Sequence, residues 1–535
     1  MTVTRKLPVG VQSFEIMRSD DFLYIDKTKY VWKLITESRV YFLSRPRRFG
    51  KSLFLSTLKA YFLGQKELFK DLAIERLEEA EKENREIWRE YPVLYLDFNL
   101  SKYETREDLE SLLNMHLVQW EKIYGSEKSE NTLTERFFGA ILRAFEKTGK
   151  RAVILIDEYD KPLLQTMEKN KVLNETYRTI LKGFFGVLKS ADHAIRFAFL
   201  TGVTKFSKVS IFSDLNNLKD ISMLNQYAGI CGISQTELEA NFIPEIEALA
   251  QANKMSKPEA LKELKRRYDG YHFSETSDSM YNPFSLLNTF SAREFKNYWF
   301  ATGTPTFLVD YLKEAHYNIP DLDGGVKIND AGLEGYRAEH MNPIPILFQA
   351  GYLTIKDYHA KAGLYTLCFP NDEVRYSFLD NLLPSYTSVK AYHTGVSIWE
   401  FCEQIEAGDV DGFMKKIKSI ISGIPYDTFS EKDLALREQN YQTAVYLVFA
   451  LMNQFVETEV HCAAGRADCV VTLTDTVYLF EFKLTSGGTA EDAIKQIKEK
   501  GYADKYSGAG KKIIAVGSSF NEEKRTIEEW KAEVI

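Results

Sequence analysis

Four short runs of largely apolar residues punctuate the first 200 residues of the chain. They lie at residues 40–43, 92–98, 152–156 and 195–200. Apolar runs without alternation are typical of strands that are buried on both faces of a parallel sheet. Residues 53–64, LFLSTLKAYFLG, follow the first run with a helical pattern. The pattern therefore predicts an α/β domain with a parallel sheet at the start of the chain.

The last quarter of the chain has a different pattern, in which short strands alternate in polarity. The predicted elements are an amphipathic helix at 434–452, strands at 456–460, 467–473 and 476–483, a helix that contains Gln496 and Tyr502, and a strand at 512–516. Their order is helix, three strands, helix and strand. The pattern therefore predicts a separate αβββαβ domain at the end of the chain.

Composition and charge narrow the classes of function. Hydrophobic residues make up 44% and charged residues 27% of the 535 residues, the balance of a folded globular protein. The net charge of −8 excludes a generally basic nucleic-acid binder, so any contact with a phosphate backbone must be local. The five cysteines form no closely spaced pair, as in reduced cytoplasmic proteins. No apolar run approaches the roughly 20 residues of a membrane helix, and we expect a cytoplasmic protein without a membrane partner.

A loop that can hold phosphates follows the first predicted strand. Gly50, Lys51 and Ser52 stand there, between the strand and the helix. In this context the N–H groups at the helix start can bind phosphate oxygens, Lys51 can reach the β- and γ-phosphates, and Ser52 can bind Mg²⁺. Arg45 stands where the usual phosphate-loop pattern has glycine. Alone, these residues also fit an ordinary helix start.

A second segment favours the nucleotide-binding interpretation. The run at 152–156 ends in Asp157 and Glu158, and ligands bind at the carboxyl ends of parallel strands. We expect Asp157 to hold Mg²⁺ and Glu158 to orient the water that attacks the γ-phosphate, although a solvated acidic turn would look similar. Thr201 is expected to sense the γ-phosphate, unless it or Thr204 simply caps the next helix. A strand inserted between the two motifs, with Glu after Asp, is typical of the AAA+ branch of P-loop NTPases.

Two carboxylates and a lysine are predicted to converge in the last domain. Glu481 and Lys483 lie two residues apart on the strand 476–483, so their side chains share one face. Antiparallel pairing with the preceding strand brings Asp468 towards Glu481. The carboxylates can hold Mg²⁺ or Mn²⁺, which acidifies a water, while Lys483 positions that water and stabilises charge on the phosphorane. A surface hairpin with an ion pair is the alternative.

The surroundings of these residues fit a nuclease. Glu438 in the first helix and Gln496 in the second complete the candidate catalytic set. The αβββαβ order with this spacing of Asp468 and the ExK strand is that of the PD-(D/E)xK nuclease fold. Seven lysines against four acidic residues from Lys483 to Lys512 give a local charge of +3. This segment fits an edge that binds the DNA backbone, but also a solvated helix face.

From about residue 218 to 300 the sequence pattern is mainly helical. This pattern predicts a helical lid that follows the ATPase core. Residues 315–345 are rich in Gly, Pro, Asn and Asp and predict a linker. A helix at 346–351 and strands at 352–357 and 364–369 fit either a winged-helix element that contacts DNA or a partner, or a hairpin packed beside the lid. The predicted domains are an ATPase-like domain at 1–217, a lid at 218–310, a linker with the winged-helix hairpin at 311–395, and a nuclease-like domain at 396–535.

The motifs together resemble those of a bacterial family, the predicted AAA-ATPase-like proteins with a C-terminal PD-(D/E)xK nuclease-superfamily domain. The similar stretches cover most of the chain and include SRPRRFGKS, LIDEYDKP, YDGYHF, YNPFSLLN, YWFATGTPTFL, LFQAGYLTI, FPNDEV and YLFEFK. The resemblance implies an ATPase coupled to a nuclease-like module, and it implies that arginine in place of the first loop glycine is the family's own form. The candidate nucleotide-binding residues are Arg45, Pro46, Arg47, Arg48, Phe49, Gly50, Lys51, Ser52, Leu53 and Thr201.

The sequence thus predicts an ATP-dependent DNA-processing enzyme in which ATP binding or hydrolysis gates a metal-dependent nuclease. A rival hypothesis keeps the ATPase as a switch and treats the nuclease-like domain as a scaffold that binds nucleic acid or protein without cleaving. Metal binding by Asp468 and Glu481 separates the two, since a scaffold has no need for it. A third hypothesis, a peptide- or chaperone-type ATPase, does not account for the ExK strand. A homo-oligomer would need an arginine finger from a second copy, and spacing distinguishes no arginine for that role.

Overall fold

The structure, a computed structural model, divides into two compact units. One unit consists of Met1–Thr302 and Lys327–Glu373, and the other of Gly303–Val326 and Val374–Ile535. The chain therefore passes from one unit to the other more than once. The residues that the structure describes are 5–167, 170–205, 212, 215–300, 306–334, 342–387, 389–390, 393–422, 434–454, 460–462, 468–507, 510–521, 523–524 and 526–535.

A five-stranded parallel sheet forms the centre of the first unit. Its strands are β1 (Val40–Ser44), β2 (Val93–Asp97), β3 (Ala152–Asp157), β4 (Ile195–Gly202) and β5 (Lys219–Asp220). Their order across the sheet is β2-β3-β4-β1-β5, with every neighbouring pair parallel. The predicted parallel sheet is thus confirmed. All carboxyl ends meet at one edge, which is where α/β sheets bind ligands.

One strand lies between the two nucleotide motifs in the sequence, and a different strand lies between them in the sheet. β4 lies between β1 and β3, whereas β2 lies at the edge beside β3. The register pairs Leu43 of β1 with Thr201 of β4, so the loop after β1 begins next to the end of β4. The Arg45 N–H accordingly donates to the Gly202 carbonyl oxygen at 3.2 Å.

Helices surround this sheet, and α3 and α6 contact β3. The helices up to residue 292 are α1 (Phe14–Ser19), α2 (Thr28–Glu37), α3 (Lys51–Phe62), α4 (Ala73–Glu81), α5 (Arg106–Tyr124), α6 (Leu133–Thr148), α7 (Lys161–Thr166), α8 (Lys171–Ser190), α9 (Gln235–Asn241), α10 (Ile243–Ala252), α11 (Lys257–Tyr268) and α12 (Pro283–Ala292). The helical character expected after residue 218 is present in α9 to α12, which share one apolar core.

Two small sheets belong to the middle of the chain. Their strands are β6 (Ile233–Ser234) paired with β7 (Met280–Tyr281), and β8 (Val326–Asn329), β9 (Thr354–His359) and β10 (Leu364–Cys368) in the order β8-β10-β9. The helices between residues 306 and 350 are α13 (Thr306–Glu314), α14 (Asp321–Gly324), α15 (Asp330–Glu334) and α16 (Ile344–Ala350). The β9–β10 hairpin packs on the first unit, because Tyr365 Oη donates to the Glu275 carboxylate (2.6 Å) and the His272 N–H donates to Thr354 Oγ1 (2.8 Å).

A mixed five-stranded sheet forms the second unit. Its strands are β11 (Val460–Cys462), β12 (Cys469–Thr472), β13 (Thr476–Leu484), β14 (Lys512–Asn521) and β15 (Thr526–Val534), in that order across the sheet. Only β13 and β14 are parallel among these described neighbours. The remaining helices are α17 (Asp372–Tyr386), α18 (Thr394–Glu406), α19 (Val410–Ser422), α20 (Leu434–Met452), α21 (Ala490–Glu499) and α22 (Asp504–Ser507).

The two faces of β13 carry different helices, as its alternation predicts. Leu479 packs with Ile494 and Ile497 of α21 on one face. Phe480 packs against Phe413 of α19 and Phe449 of α20 on the other, with ring centroids 5.5 and 4.9 Å apart. The sheet is therefore covered on both sides at β13.

Several features of this unit differ from the prediction. α20 is not amphipathic over its second half, because every residue from Thr443 to Met452 is buried. Tyr502 lies beyond the end of α21 rather than within it. β15 was not predicted, since it is an edge strand whose residues are mostly exposed and include four charged ones. The strand predicted at 456–460 lies outside the described residues except for Val460, where β11 begins.

Candidate functional site

The loop between β1 and α3 lies at the carboxyl edge of the parallel sheet. Gly50 precedes α3 with φ of +94°, a conformation that disfavours residues with a side chain, and a Cβ there would meet open space. The first N–H groups of a helix have no partner within the helix, so those of Lys51, Ser52 and Leu53 can bind an anion. The loop is therefore a candidate phosphate-binding loop.

The Arg45 side chain is directed into the protein interior. Its Nη1 donates to the carbonyl oxygens of Ser44 (2.9 Å) and Ser222 (2.7 Å), and its Nη2 to that of Tyr227 (3.2 Å). The guanidinium also stacks on the Phe273 ring, 4.1 Å from its centroid. Burial lowers the pKa of Arg45 to about 10, which leaves the group charged at neutral pH. Arg45 thus contributes its backbone to the loop, while its side chain holds the segment after β5.

The other residues of the loop divide by exposure. Pro46 and Phe49 are buried, whereas Arg47 and Arg48 are exposed. Arg48 stacks on the Phe284 ring at 4.5 Å. Arg47 and Arg48 are therefore the loop arginines whose side chains solvent, or a phosphate, can reach.

Lys51 is buried at the base of the loop. Its Nζ donates to the carbonyl oxygens of Arg45 (3.0 Å) and Pro46 (3.2 Å) and lies 3.1 Å from Glu158 Oε1. Glu158 has φ of +53°, a left-handed conformation that costs about 1–2 kcal/mol for a residue with a side chain. The strained backbone at Glu158 thus holds its carboxylate beside the lysine of the loop.

Asp157 lies at the end of β3, almost fully buried. Thr201 Oγ1 donates to Asp157 Oδ1 at 2.6 Å. Burial raises the pKa of Asp157, and hydrogen bonds with Ser52 and Thr201 oppose that effect. The structure thus brings Ser52, Asp157 and Thr201 together at the sheet edge. The Thr201 hydroxyl orients the Asp157 carboxylate.

Asp160 is a buried carboxylate whose role no local sequence pattern indicates. Its Oδ2 accepts the N–H of Val203 (2.9 Å) and the N–H and hydroxyl of Thr204 (2.6 and 2.7 Å). Burial raises its pKa to about 6. Asp160 therefore fixes the chain just after β4 against the end of β3. The LIDEYDKP motif was visible, but this long-range pairing was not.

Asp97 and Lys161 were also missed near this edge. Asp97 ends β2 and pairs in register with Asp157 on the adjacent strand. Burial lowers the pKa of Lys161, an effect that Asp97 and Glu158 oppose and Arg47 reinforces. Asp97 could have been identified from the sequence as the one charged residue near the end of the apolar run at 92–98.

Other motifs of the first unit pack around the phosphate-binding loop. Trp299 donates its indole N–H to the Arg47 carbonyl oxygen (3.2 Å), and its backbone N–H to Glu373 Oε1 (2.8 Å). Glu373 also accepts the Ser285 hydroxyl at 2.6 Å. Gly351, with φ of +89°, approaches Pro46 so closely that a Cβ would lie 2.6 Å from the Pro46 Cβ. Trp299, Glu373 and Gly351, one from each of the YWFATGTPTFL, FPNDEV and LFQAGYLTI stretches, thus brace the loop directly or through one another.

The predicted nuclease residues converge in the second unit. Asp468 Oδ2 accepts the N–H of Phe482 at 2.8 Å, which fixes that carboxylate beside β13. Gln496 of α21 accepts a hydrogen bond from Lys483 Nζ at 2.7 Å and donates its Nε2–H to Glu481 Oε1. The structure thus brings Asp468, Glu481, Lys483 and Gln496 together at the carboxyl end of β13. Register between β12 and β13 follows the predicted antiparallel pairing.

The chemistry of this group fits a divalent metal. Glu481 is 5% exposed, and its Oε2 has no hydrogen-bond partner among the described residues. Burial, reinforced by the nearby Asp468 and opposed by Lys483, raises the pKa of Glu481 to about 7. An orphaned buried carboxylate oxygen beside a second carboxylate is suited to a cation. Within the described ranges no group of three His, Cys, Asp or Glu is close enough to hold a metal, so water and phosphate oxygens would complete the coordination, as suits Mg²⁺.

Two further expectations for this unit concern Glu438 and the lysine-rich segment at 483–512. Glu438 lies in α20, one turn before Gln442, but its side chain lies outside the described residues. Among the lysines of the 483–512 segment, Lys498 pairs with Glu533 at 2.8 Å and Lys495 with Glu499 at 3.7 Å. The excess positive charge of this edge is thus partly neutralised by β15.

The parallel sheet of the first unit and the mixed sheet of the second are consistent with a P-loop-like, AAA-ATPase-like domain and a PD-(D/E)XK-type domain. A family model described as "Predicted AAA-ATPase" matches residues 8–212, and one described as "PD-(D/E)XK nuclease superfamily" matches residues 436–530. A protein of Azotobacter chroococcum mcd 1, described as an uncharacterized protein in the vnfD 5′ region, is 37% identical over 530 residues, covering 98% of each chain. The chain belongs to the family of predicted AAA-ATPases with a C-terminal PD-(D/E)XK nuclease-superfamily domain. The resemblance inferred from the motifs is therefore confirmed.

Proposed function

We propose that the chain binds and hydrolyses ATP and that it is a metal-dependent nuclease which cleaves DNA phosphodiester bonds under the control of ATP. One observation carries the nuclease part of the proposal: Asp468, Glu481, Lys483 and Gln496 meet at one end of β13. The ion pair between Lys51 and Glu158 supports the ATPase part. The cytoplasm remains the proposed location. No helix in the described part of the chain is long and apolar enough to cross a membrane.

In the ATPase the side chains have separate roles. Lys51 moves from Glu158 and the loop carbonyls to the β- and γ-phosphate oxygens, which are stronger acceptors. Glu158 is then free to orient the attacking water. Ser52 and Asp157 would hold Mg²⁺, and Thr201 keeps the Asp157 carboxylate in place. The exposed guanidinium groups of Arg47 and Arg48 add positive charge beside the phosphates.

In the nuclease, Asp468 and Glu481 would hold the Mg²⁺ or Mn²⁺, which supplies an acidified water when bound. Gln496 fixes Glu481 and Lys483 relative to each other through its amide. Lys483 then stabilises the negative charge that develops on the phosphorane. Glu438 is proposed as a further carboxylate of this site.

Cleavage of linear and circular DNA with Mg²⁺ or Mn²⁺ tests this function. We expect the wild-type protein to cleave and Lys483→Ala to lose at least about 100-fold of that activity. Lys495→Ala is the matched control, because Lys495 lies on the neighbouring helix with 70% of its side chain exposed. The ATP-switched scaffold would be favoured instead by two results together. The wild-type protein would cleave no DNA, and it would bind no metal at a site that Asp468→Asn abolishes.

A further inference from the structure

A cavity of about 180 Å³ lies beside the candidate nuclease site, within the second unit. Its floor is formed by three residues in register on neighbouring strands: Leu484 of β13 pairs with Phe520 of β14, and Phe520 with Ile527 of β15. A single water needs roughly 10–15 Å³ of such space, so the cavity accepts a group the size of a ring.

Aromatic and aliphatic side chains line the walls of this cavity. Tyr441 and Val445 lie one turn apart on α20 and face it, and Phe482 of β13 adds a third wall. The Tyr441 and Phe520 rings lie with their centroids 3.8 Å apart. Such a lining binds flat apolar surfaces, since a π-face stacks on aromatic side chains whatever its substituents.

The cavity adjoins the candidate nuclease site and shares two lining residues with it. Asp468 and Lys483 belong both to the cavity lining and to the group that would handle the phosphate. Asn318 and Gln442 also line it, and a side-chain amide offers both donors and an acceptor. An occupant whose anionic part lies at Lys483 would therefore place an adjoining ring in the cavity, with amide groups at its polar edge.

We propose that this cavity receives an unpaired nucleobase next to the scissile phosphate, so that the substrate is single-stranded or locally unpaired DNA. The inference rests on the proposed nuclease function and adds the class of its substrate. A base in a duplex is stacked and paired and cannot enter such a cavity unless it is first extruded, at a cost of a few kcal/mol. Aromatic and aliphatic walls stack on the π-face of every base, which predicts weak sequence preference.

The test compares three substrates of one sequence: a single strand, the full duplex, and the single strand with an abasic position at the mapped cleavage site. We expect the wild-type protein to cleave the single strand at least tenfold faster than the duplex. Leu484→Trp fills the cavity, and it should lower the ratio of base-bearing to abasic cleavage about tenfold. Val396→Trp, at an exposed position of α18, is the control for adding a bulky ring and should leave that ratio at the wild-type value.

Equal cleavage of single strand and duplex, or a ratio that Leu484→Trp does not change, would overturn the inference while leaving the nuclease function in place. Absence of cleavage of every substrate would instead contradict the proposed function. The inference is then tested by binding alone, with a 2-aminopurine strand and the wild-type protein. We expect base fluorescence to be quenched more strongly with the wild type than with Leu484→Trp. Equal fluorescence in the two proteins would mean that no base enters the cavity.

Discussion

Lys51 Nζ lies 3.1 Å from Glu158 Oε1, and both groups are largely shielded from solvent. The lysine of the phosphate-binding loop thus neutralises the carboxylate that is proposed to orient the attacking water. Nucleotide phosphates would compete for the same ammonium group. Binding of ATP and release of Glu158 are therefore expected to be one event.

Replacing Glu158 should separate ATP binding from hydrolysis. In Glu158→Gln the amide keeps the shape of the side chain but cannot act as a base, so we expect turnover to fall at least about 100-fold. ATP binding, measured by calorimetry, should be retained. Glu175→Gln, on the exposed side of α8, is the control. Unchanged turnover in Glu158→Gln would show that another residue orients the water.

Arg45→Gly gives the loop the glycine of the usual phosphate-loop pattern. We expect this substitution to lower the free energy of unfolding, because it leaves the Ser222 and Tyr227 carbonyl oxygens without their buried donor. The loss should be about 3 kcal/mol or more, measured by denaturation of the full chain. Arg47→Ala should leave stability near wild type and weaken ATP binding. If Arg45→Gly strengthened ATP binding without loss of stability, the structural role of Arg45 would be refuted.

Asp160→Ala should also destabilise the first unit. It removes the acceptor of two backbone N–H groups and one hydroxyl at the end of β4, and a buried unsatisfied donor costs about 1–3 kcal/mol. Asp192→Ala removes a half-exposed ion pair with Arg39 and should change the thermal midpoint much less. Equal midpoints for the two variants would contradict the anchoring role of Asp160.

Stability should depend on pH through Glu373. Burial raises its pKa from 4.5 to about 7. A carboxyl with a raised pKa in the folded state stabilises the fold fully below its unfolded pKa, and this contribution is lost as the pH rises through 7. Between pH 4.5 and 7 the wild type should therefore lose up to about 3 kcal/mol of unfolding free energy relative to Glu373→Gln. This loss would be measured as a fall of the wild-type thermal midpoint relative to that of the variant. Parallel pH curves for the two proteins would argue against a protonated Glu373.

The sequence predicted the parallel sheet and the nuclease group because both depend on local pattern. The apolar run before Asp157 predicts a buried strand and where it ends. The spacing of Glu481 and Lys483 places both side chains on one face. Such features follow from the geometry of a strand, with no knowledge of what packs against it.

Other parts of the sites depend on contacts between distant segments, which the local pattern does not contain. The direction of the Arg45 guanidinium is decided by Phe273 and the carbonyls after β5. Bracing of the loop by Trp299 requires residues about 250 positions apart to meet. β15 was missed for a different reason, since an edge strand with exposed charges lacks the apolar signal of a buried strand.

The central claim is that ATP at one site controls cleavage at the other. The most direct test is the rate of DNA cleavage with and without ATP by the wild-type protein, Lys51→Ala and Lys483→Ala. We predict that ATP changes the wild-type rate at least about tenfold, that Lys51→Ala does not respond to ATP, and that Lys483→Ala does not cleave. Identical rates with and without ATP in the wild-type protein, under conditions in which it hydrolyses ATP, would contradict the account.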